Sequence, residues 1–309
     1  MSPFADAGAR ALDPAKFRDP LVTAKGEARA HVVLDRLDTL WINTGTLCNL
    51  ACKSCYIESS PTNDALVYLT LAEVELFLDQ AQALGVREIG FTGGEPFMNR
   101  DMVAMMASAL GRGFEVLVLT NAMRPMRRFE KQLRALPRER LVMRVSLDHH
   151  SRAVHETERG PGSWAKAVDG LQWLSENGFQ VAVAGRRLGG ESEEDARAGY
   201  ARTFEQLGIR AASGLVLFPE MDAWADVPEI SDACWSILDV SPSAMMCASS
   251  RMVVKAKGAE RPHVVACTLL PYEEEFALGE TLAGAAGKVM LNHPHCARFC
   301  VLGGASCSG

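Results

Sequence analysis

Between residues 39 and 218, short apolar runs alternate with longer stretches whose apolar positions recur every three to four residues. The runs Thr39–Thr44, Val86–Phe91, Phe114–Leu119, Leu141–Leu147, Phe179–Ala184 and Ala211–Phe218 read as strands. Phe114–Leu119 is a continuous apolar run, as expected of a strand buried on both faces of a parallel sheet. The intervening stretches read as helices. Thr70-Leu71-Ala72-Glu73 has the form of a capping box, Val74, Phe77, Leu78 and Ala81 share one helical face, and Gly85 ends it. Met102, Met105, Met106 and Ala109 mark a second helix, Phe129–Leu136 a short one, Trp164, Val168, Leu171 and Leu174 a fourth, and Ala196, Tyr200, Phe204 and Leu207 a fifth.

Six strand–helix units imply right-handed crossovers and parallel strands. They are too few for a closed eight-unit barrel, so the expected fold is α/β, an open partial (β/α)6 barrel with ligands at the carboxyl ends of its strands. After residue 218 the rhythm changes. Met252–Lys255 and His263–Ala266 flank Gly258 and read as a β-hairpin, with Cys247 and Cys267 at its ends. The expected division is an N-terminal extension over 1–38, the barrel over 39–235, and a small hairpin-plus-helix module over 236–309.

Composition narrows the field of partners. A formal net charge of −6 argues against nucleic acid or an anionic membrane surface as a general partner. No apolar run approaches the ~20 residues that span a bilayer, and Met1–Arg10 does not resemble an export signal. Nine cysteines, an odd number without such a signal, make a disulfide framework unexpected and a reducing cytoplasm the expected location. Three cysteines fall within 48–55 and five within 247–307. Cys234 stands alone and is expected to be a buried helix residue.

The first group is Cys48-x3-Cys52-x2-Cys55, directly after the first barrel strand. Three thiolates this close can hold three iron corners of a [4Fe–4S] cube and leave the fourth iron open. The same spacing could form one buried helical stripe, or supply three ligands of a zinc site. The second strand runs into Thr92-Gly93-Gly94-Glu95-Pro96, where paired glycines let the backbone approach a ligand closely.

Together, C-x3-C-x2-C after strand one and GGEP after strand two resemble the radical S-adenosylmethionine (SAM) enzymes. The resemblance implies a cluster on Cys48, Cys52 and Cys55 whose open iron is chelated by SAM. It also implies a SAM amino group near Gly93, Gly94, Glu95 and Pro96. By the same likeness, Thr120 and Asn121 after strand three and Ser146 and Asp148 after strand four would face the ribose and carboxylate of SAM. Arg186 after strand five is a candidate partner for that carboxylate. The residue before the third cysteine is often aromatic in this family. Here it is Ser54, and Tyr56 is expected to pack near the adenine instead. His149 and His150 read as ordinary loop histidines.

Cys247, Gly258, Cys267, the Leu278-Gly279-Glu280-Thr281-Leu282 segment and Cys296-x3-Cys300 resemble SPASM and twitch modules, which carry auxiliary [4Fe–4S] clusters. That implies Cys247, Cys267, Cys296 and Cys300 as ligands, and Cys307, in the flexible Gly303-Gly304-Ala305-Ser306 segment that would cost entropy to order, is expected to be a spare. Four cysteines could equally close a tetrahedral zinc site. The implied activity is reductive cleavage of SAM to a 5′-deoxyadenosyl radical, which takes a hydrogen atom from a small-molecule or short-peptide substrate. An auxiliary cluster would assist net oxidation or bond formation. An electron donor such as flavodoxin or ferredoxin is expected. The 38 residues ahead of strand one are expected to be too few for a leader-binding domain. The alternative is a non-catalytic iron–sulfur electron carrier or a zinc-stabilised binding module.

Overall fold

The computed structural model describes residues 11–209, 214–220 and 225–304. In chain order the strands are β1 (His31–Val32), β2 (Thr39–Asn43), β3 (Glu88–Thr92), β4 (Glu115–Thr120), β5 (Leu141–Ser146), β6 (Gln180–Arg186), β7 (Leu215–Phe218), β8 (Ser250–Val254), β9 (His263–Val265), β10 (Ala277–Gly279) and β11 (Val289–Met290). The helices are α1 (Leu71–Ala83), α2 (Met102–Gly111), α3 (Arg124–Arg127), α4 (Glu130–Arg134), α5 (Arg152–Arg159), α6 (Ser163–Glu176), α7 (Glu193–Leu207) and α8 (Cys234–Leu238).

β2 to β7 lie side by side in sequence order, all parallel, as the strand–helix rhythm requires. The sheet does not close. β8 adds to the free side of β2 in parallel, and β9 and β10 follow antiparallel, giving one nine-stranded sheet. The expected hairpin is therefore present as β8 and β9, but it extends the barrel sheet and has no separate sheet of its own.

Alternation along each strand sorts side chains between two cores. Leu40, Ile42, Ile89, Phe91, Val116, Val118, Met143 and Val145 pack outward against α1, α2 and α6. Trp41, Leu117, Met252 and Val254 point the other way, into a second core shared with residues 245–301. Gly90 is the register partner of Trp41, and a Cβ there would lie 2.4 Å from the indole. The glycine makes room for the largest side chain of the concave face. α1 carries the expected capping box in full, with Thr70 and Glu73 each bonding the other's backbone N–H.

The structure differs from the sequence reading in three places. The expected helix over Phe129–Leu136 is present as the shorter α4, preceded by a separate turn of helix, α3, that the sequence reading did not contain. α5 carries only one buried residue, His155, so it left no apolar stripe to read. Residues 11–38 are tied down, not loosely attached: β1 pairs antiparallel with β11, and fully buried Arg29 pairs with Glu229 at 2.5 Å. Cys234 is half-buried on α8, its Sγ 3.6 Å from Ser231 Oγ. Cys307 and the first residues of the expected sixth strand lie outside the described residues. No described helix is long and apolar enough to cross a membrane.

Candidate active site

One cavity opens at the carboxyl ends of the parallel strands. Cys48, Cys52 and Cys55 line it together with Tyr56, Gly93, Gly94, Thr120, Asn121, Ser146, Asp148 and Arg186. Residues from five separate segments, selected by motif alone, thus converge on one space.

The two glycines are required by the cysteine loop. Gly93 has φ +134°, and a Cβ on it would lie 2.5 Å from Gly45 O. A Cβ on Gly94 would lie 2.3 Å from Leu47 O. The loop and the turn are instead zipped together, Gly94 N–H donating to Gly45 O (2.8 Å) and Glu95 N–H to Leu47 O (3.1 Å). The turn after β3 therefore fixes the height at which the segment carrying Cys48 crosses the sheet.

Glu95 and Pro96 do not line the cavity. The resemblance places a SAM amino group near Glu95, but its carboxylate is turned into the protein. Oε1 accepts from Thr120 Oγ1 (2.8 Å) and Phe97 N (3.2 Å), and Oε2 accepts from Asn121 N (2.8 Å). It staples the end of β3 to the end of β4. Burial pushes its pKa up to about 7, against the opposing pull of those three donors. Pro96 opens a 3₁₀ turn, where its missing N–H costs nothing.

Asp148 does line the cavity, but its charge is already answered. Arg159, the last residue of α5, grips it bidentately at 2.7 and 3.0 Å, and Arg186 Nε lies 3.5 Å away. Burial alone would raise the Asp148 pKa; the two guanidiniums outweigh it and the net shift is downward. Arg159 also lines the cavity and was not singled out from sequence. Its signal is Ser151 before and Gly160 after an eight-residue polar helix, a boundary pair without an apolar face between.

His149 and His150 form a clasp with Glu191. His150 Nε2 lies 2.7 Å and His149 Nε2 3.2 Å from its carboxylate oxygens. Among the described residues this is the one His/Cys/Asp/Glu trio whose ligand atoms all lie within 4.8 Å of one another. Ser151 N–H donates to His149 Nδ1 at 2.9 Å, so a neutral His149 carries its proton on Nε2. That nitrogen faces Glu191 Oε2 without a hydrogen bond to it, and the hydrogen bond that holds the trio together is the one between His150 Nε2 and Glu191 Oε1.

The same distances speak to what the cysteines fit. Ligands about 2.3 Å from one zinc sit within about 4 Å of each other. Among the described residues, neither cysteine group contains three sulfurs within 4.8 Å of one another. A multi-iron cube, which spreads its ligands over several metal corners, suits this wider spacing. Backbone N–H groups already point at two sulfurs: Leu50 N at Cys48 Sγ (3.4 Å) and Ser59 N at Cys55 Sγ (3.3 Å). Burial holds the free Cys48 thiol at about 12, so metal binding there must displace a proton.

A second pocket is lined by Cys247, Cys267, Cys296 and Cys300 with His295 and a wall of Met and Leu side chains. Cys247 sits in a 3₁₀ turn before β8, Cys267 follows β9, and Cys296 and Cys300 lie in a π-helical segment, Cys296–Val301. Two groups there await an anionic neighbour. His295 Nδ1 is buried without a hydrogen-bond partner. Arg251 is fully buried, and its four hydrogen bonds go to the carbonyls of Cys247, Ser250, Ala285 and Gly287. A buried guanidinium satisfied by neutral acceptors alone suits a pocket that holds negative charge.

Comparison with known proteins agrees with this geometry. The sequence profile of the radical SAM superfamily matches residues 42–201. The chain belongs to the radical SAM superfamily, whose members use a [4Fe–4S] cluster and SAM. It is 32% identical over 138 residues to the antilisterial bacteriocin subtilosin biosynthesis protein AlbA of Bacillus subtilis, covering 44% of this chain and 30% of that protein. It is 29% identical over 253 residues to a GTP 3′,8-cyclase of Rhodopirellula baltica, covering 76% and 66%. With AlbA and an AdoMet-dependent heme synthase of Oleidesulfovibrio alaskensis, the match spans about a third of the relative's length. The fold is similar to Streptococcus suis SuiB bound to its precursor peptide SuiA, with a TM-score of 0.61 at 12% identity, covering 82% of this chain and 66% of that one. It is also similar to anSMEcpe with bound AdoMet, with a TM-score of 0.57 at 14% identity, covering 80% and 79%.

Proposed function

We propose that this chain cleaves SAM reductively at a cluster held by Cys48, Cys52 and Cys55, and that the product radical takes a hydrogen atom from a small-molecule or peptide substrate. The carrying observation is convergence: the three cysteines share one cavity with Gly93, Gly94, Thr120, Asn121, Ser146, Asp148 and Arg186. A non-catalytic iron–sulfur carrier would have no use for that open space beside the sulfurs, with polar groups from four strand ends turned into it. The cluster and SAM supply the radical chemistry when bound; the chain's part is to hold, orient and shield.

In this reading Gly93 and Gly94 offer bare backbone to SAM. Asn121 contributes its side-chain amide, which donates to Asn49 Oδ1 (2.9 Å) and lies 4.0 Å from Cys48 Sγ. Asp148 acts through the arginines it holds. With Arg159 bound in both directions, Arg186 keeps the freer guanidinium and is the group that meets a carboxylate. Tyr56 and Phe218 supply apolar wall. Glu95 acts as a positioning residue, setting Thr120 and Asn121 in place.

The pocket of Cys247, Cys267, Cys296 and Cys300 is proposed to hold an auxiliary [4Fe–4S] cluster assisting net oxidation or bond formation. Peptide substrates gain support from relatives named for bacteriocin biosynthesis and for a bound precursor peptide; small molecules gain it from the cyclase. The test is anaerobic. Reconstituted protein with SAM and dithionite should release 5′-deoxyadenosine. The Cys48→Ala/Cys52→Ala/Cys55→Ala variant should release none while keeping iron in the second pocket. Continued release from that variant would overturn the proposal.

A further inference from the structure

The loop that carries Cys48 has two faces. Its sulfurs look into the cavity at the strand ends, whereas Asn49 and Leu50, the next two residues, line a broad groove on the outer surface. The wall between cavity and groove is one loop thick, and Asn121 bridges it, bonded to Asn49 on one side and near Cys48 Sγ on the other.

The groove is basic on an acidic protein. Arg124, Arg127, Arg128 and Lys166 line it, against Glu130 and Asp169. Arg127 spends its charge on both of those acids, at 2.5 and 2.7 Å. Arg124, Arg128 and Lys166 are exposed and make no ion pair among the described residues. Holding three unanswered cations together costs repulsion, and on a chain of net charge −6 it does not follow from composition. Asn49 and Leu50, directly after Cys48, line the same groove as these cations. The positive patch is thus next to the buried ligand loop.

We propose that this groove docks a small acidic one-electron carrier protein and that one electron passes from the reduced carrier through the Asn49–Leu50 wall to the cluster. The carrier is oxidised by one electron and the cluster reduced by one; no bond forms or breaks. The inference rests on the cluster assignment above. Charge complementarity selects the occupant: the groove attracts acidic surfaces, and the acidic remainder of the chain repels them from other faces.

The test uses cluster-loaded protein and a flavodoxin as the probe. Binding of the oxidised flavodoxin, and stopped-flow oxidation of the reduced form, are measured against ionic strength. Wild type should bind and react fastest at low salt. The Arg124→Glu/Arg128→Glu/Lys166→Glu variant should lose at least about tenfold in rate at low salt and lose the salt dependence. Its reduction by dithionite should stay unchanged, because a small reductant needs no dock. The milder Arg128→Gln and Lys166→Gln variants should each show part of the loss, which covers misfolding of the triple variant. Wild-type behaviour of all three toward flavodoxin would overturn the docking site. Failure of dithionite to support SAM cleavage in wild type would overturn the enzymatic reading instead, and the binding measurement with oxidised carrier would still report on the groove.

Discussion

Replacing Glu95 with Gln changes one atom in a fully packed place, and the structure sets opposing consequences at different pH. In wild type Oε2 accepts from the Asn121 backbone N–H, which cannot turn away, and Oε1 accepts from Thr120 and Phe97. A Gln amide nitrogen in the Oε2 position would face that N–H, losing a bond and stranding a donor, at a cost of about 1–3 kcal/mol. Against this, Glu95 carries its own burden. Its folded pKa is raised to about 7 from an ordinary 4.5, chiefly by burial. The folded state therefore holds the proton more tightly than the unfolded state. That stabilisation is fully present below pH 4.5 and is lost as pH rises through 7, a swing of roughly 3 kcal/mol. Gln does not titrate, so its curve lacks the swing. Anaerobic urea denaturation of metal-free, reduced protein, followed by tryptophan fluorescence, should find Glu95→Gln less stable than wild type at pH 5. At pH 8 the gap should close or invert. Parallel stability curves for the two proteins would refute the assignment of Glu95 as a buried staple.

Four further outcomes follow from other contacts. Asp148→Asn leaves the largely covered Arg159 without its counter-ion and should lower stability in the same denaturation assay, by less than the about 3–5 kcal/mol of a fully buried pair. Gly94→Ala drives a Cβ to 2.3 Å from Leu47 O, so iron analysis should show depletion at Cys48, Cys52 and Cys55 with the second pocket still loaded. Reconstituted wild type should hold about eight irons, and Cys247→Ala/Cys267→Ala about four. Arg251→Met removes a buried positive charge beside the second pocket, so a redox titration followed by electron paramagnetic resonance should find that cluster harder to reduce. The potential should fall by about 60 mV for each 1.4 kcal/mol of attraction lost.

The barrel was legible because its signals are local. Strand periodicity, the Thr70 capping box and the two motifs at strand ends all lie within a few residues of the feature they specify. The cavity inherited this legibility, since parallel strands in sequence order bring consecutive strand ends together. What escaped depends on distant partners. Arg159 has meaning only beside Asp148, 11 residues back across a helix with no apolar stripe. The inward turn of Glu95 depends on donors at the end of β4 and just beyond it, 25 and 26 residues on. The anchoring of residues 11–38 depends on Glu229 and β11, far along the chain.

The placement of β8 beside β2 bears on how the chain folds. β2 acquires β3 as a neighbour within about 50 residues, but its other edge stays bare until residues 250–254 are in place. β1 waits longer still, for Val289–Met290. A chain emerging from the ribosome would therefore present an uncovered parallel strand edge with the apolar Leu40-Trp41-Ile42 at its centre, and the concave face behind it, for most of its synthesis. Pairings of such long sequence separation are slow to form because loop closure precedes any gain from contact. Fragments ending before residue 250 should accordingly aggregate even though they contain every residue of the first cysteine motif, and the last module acts as the clasp that lets the barrel sheet come to rest.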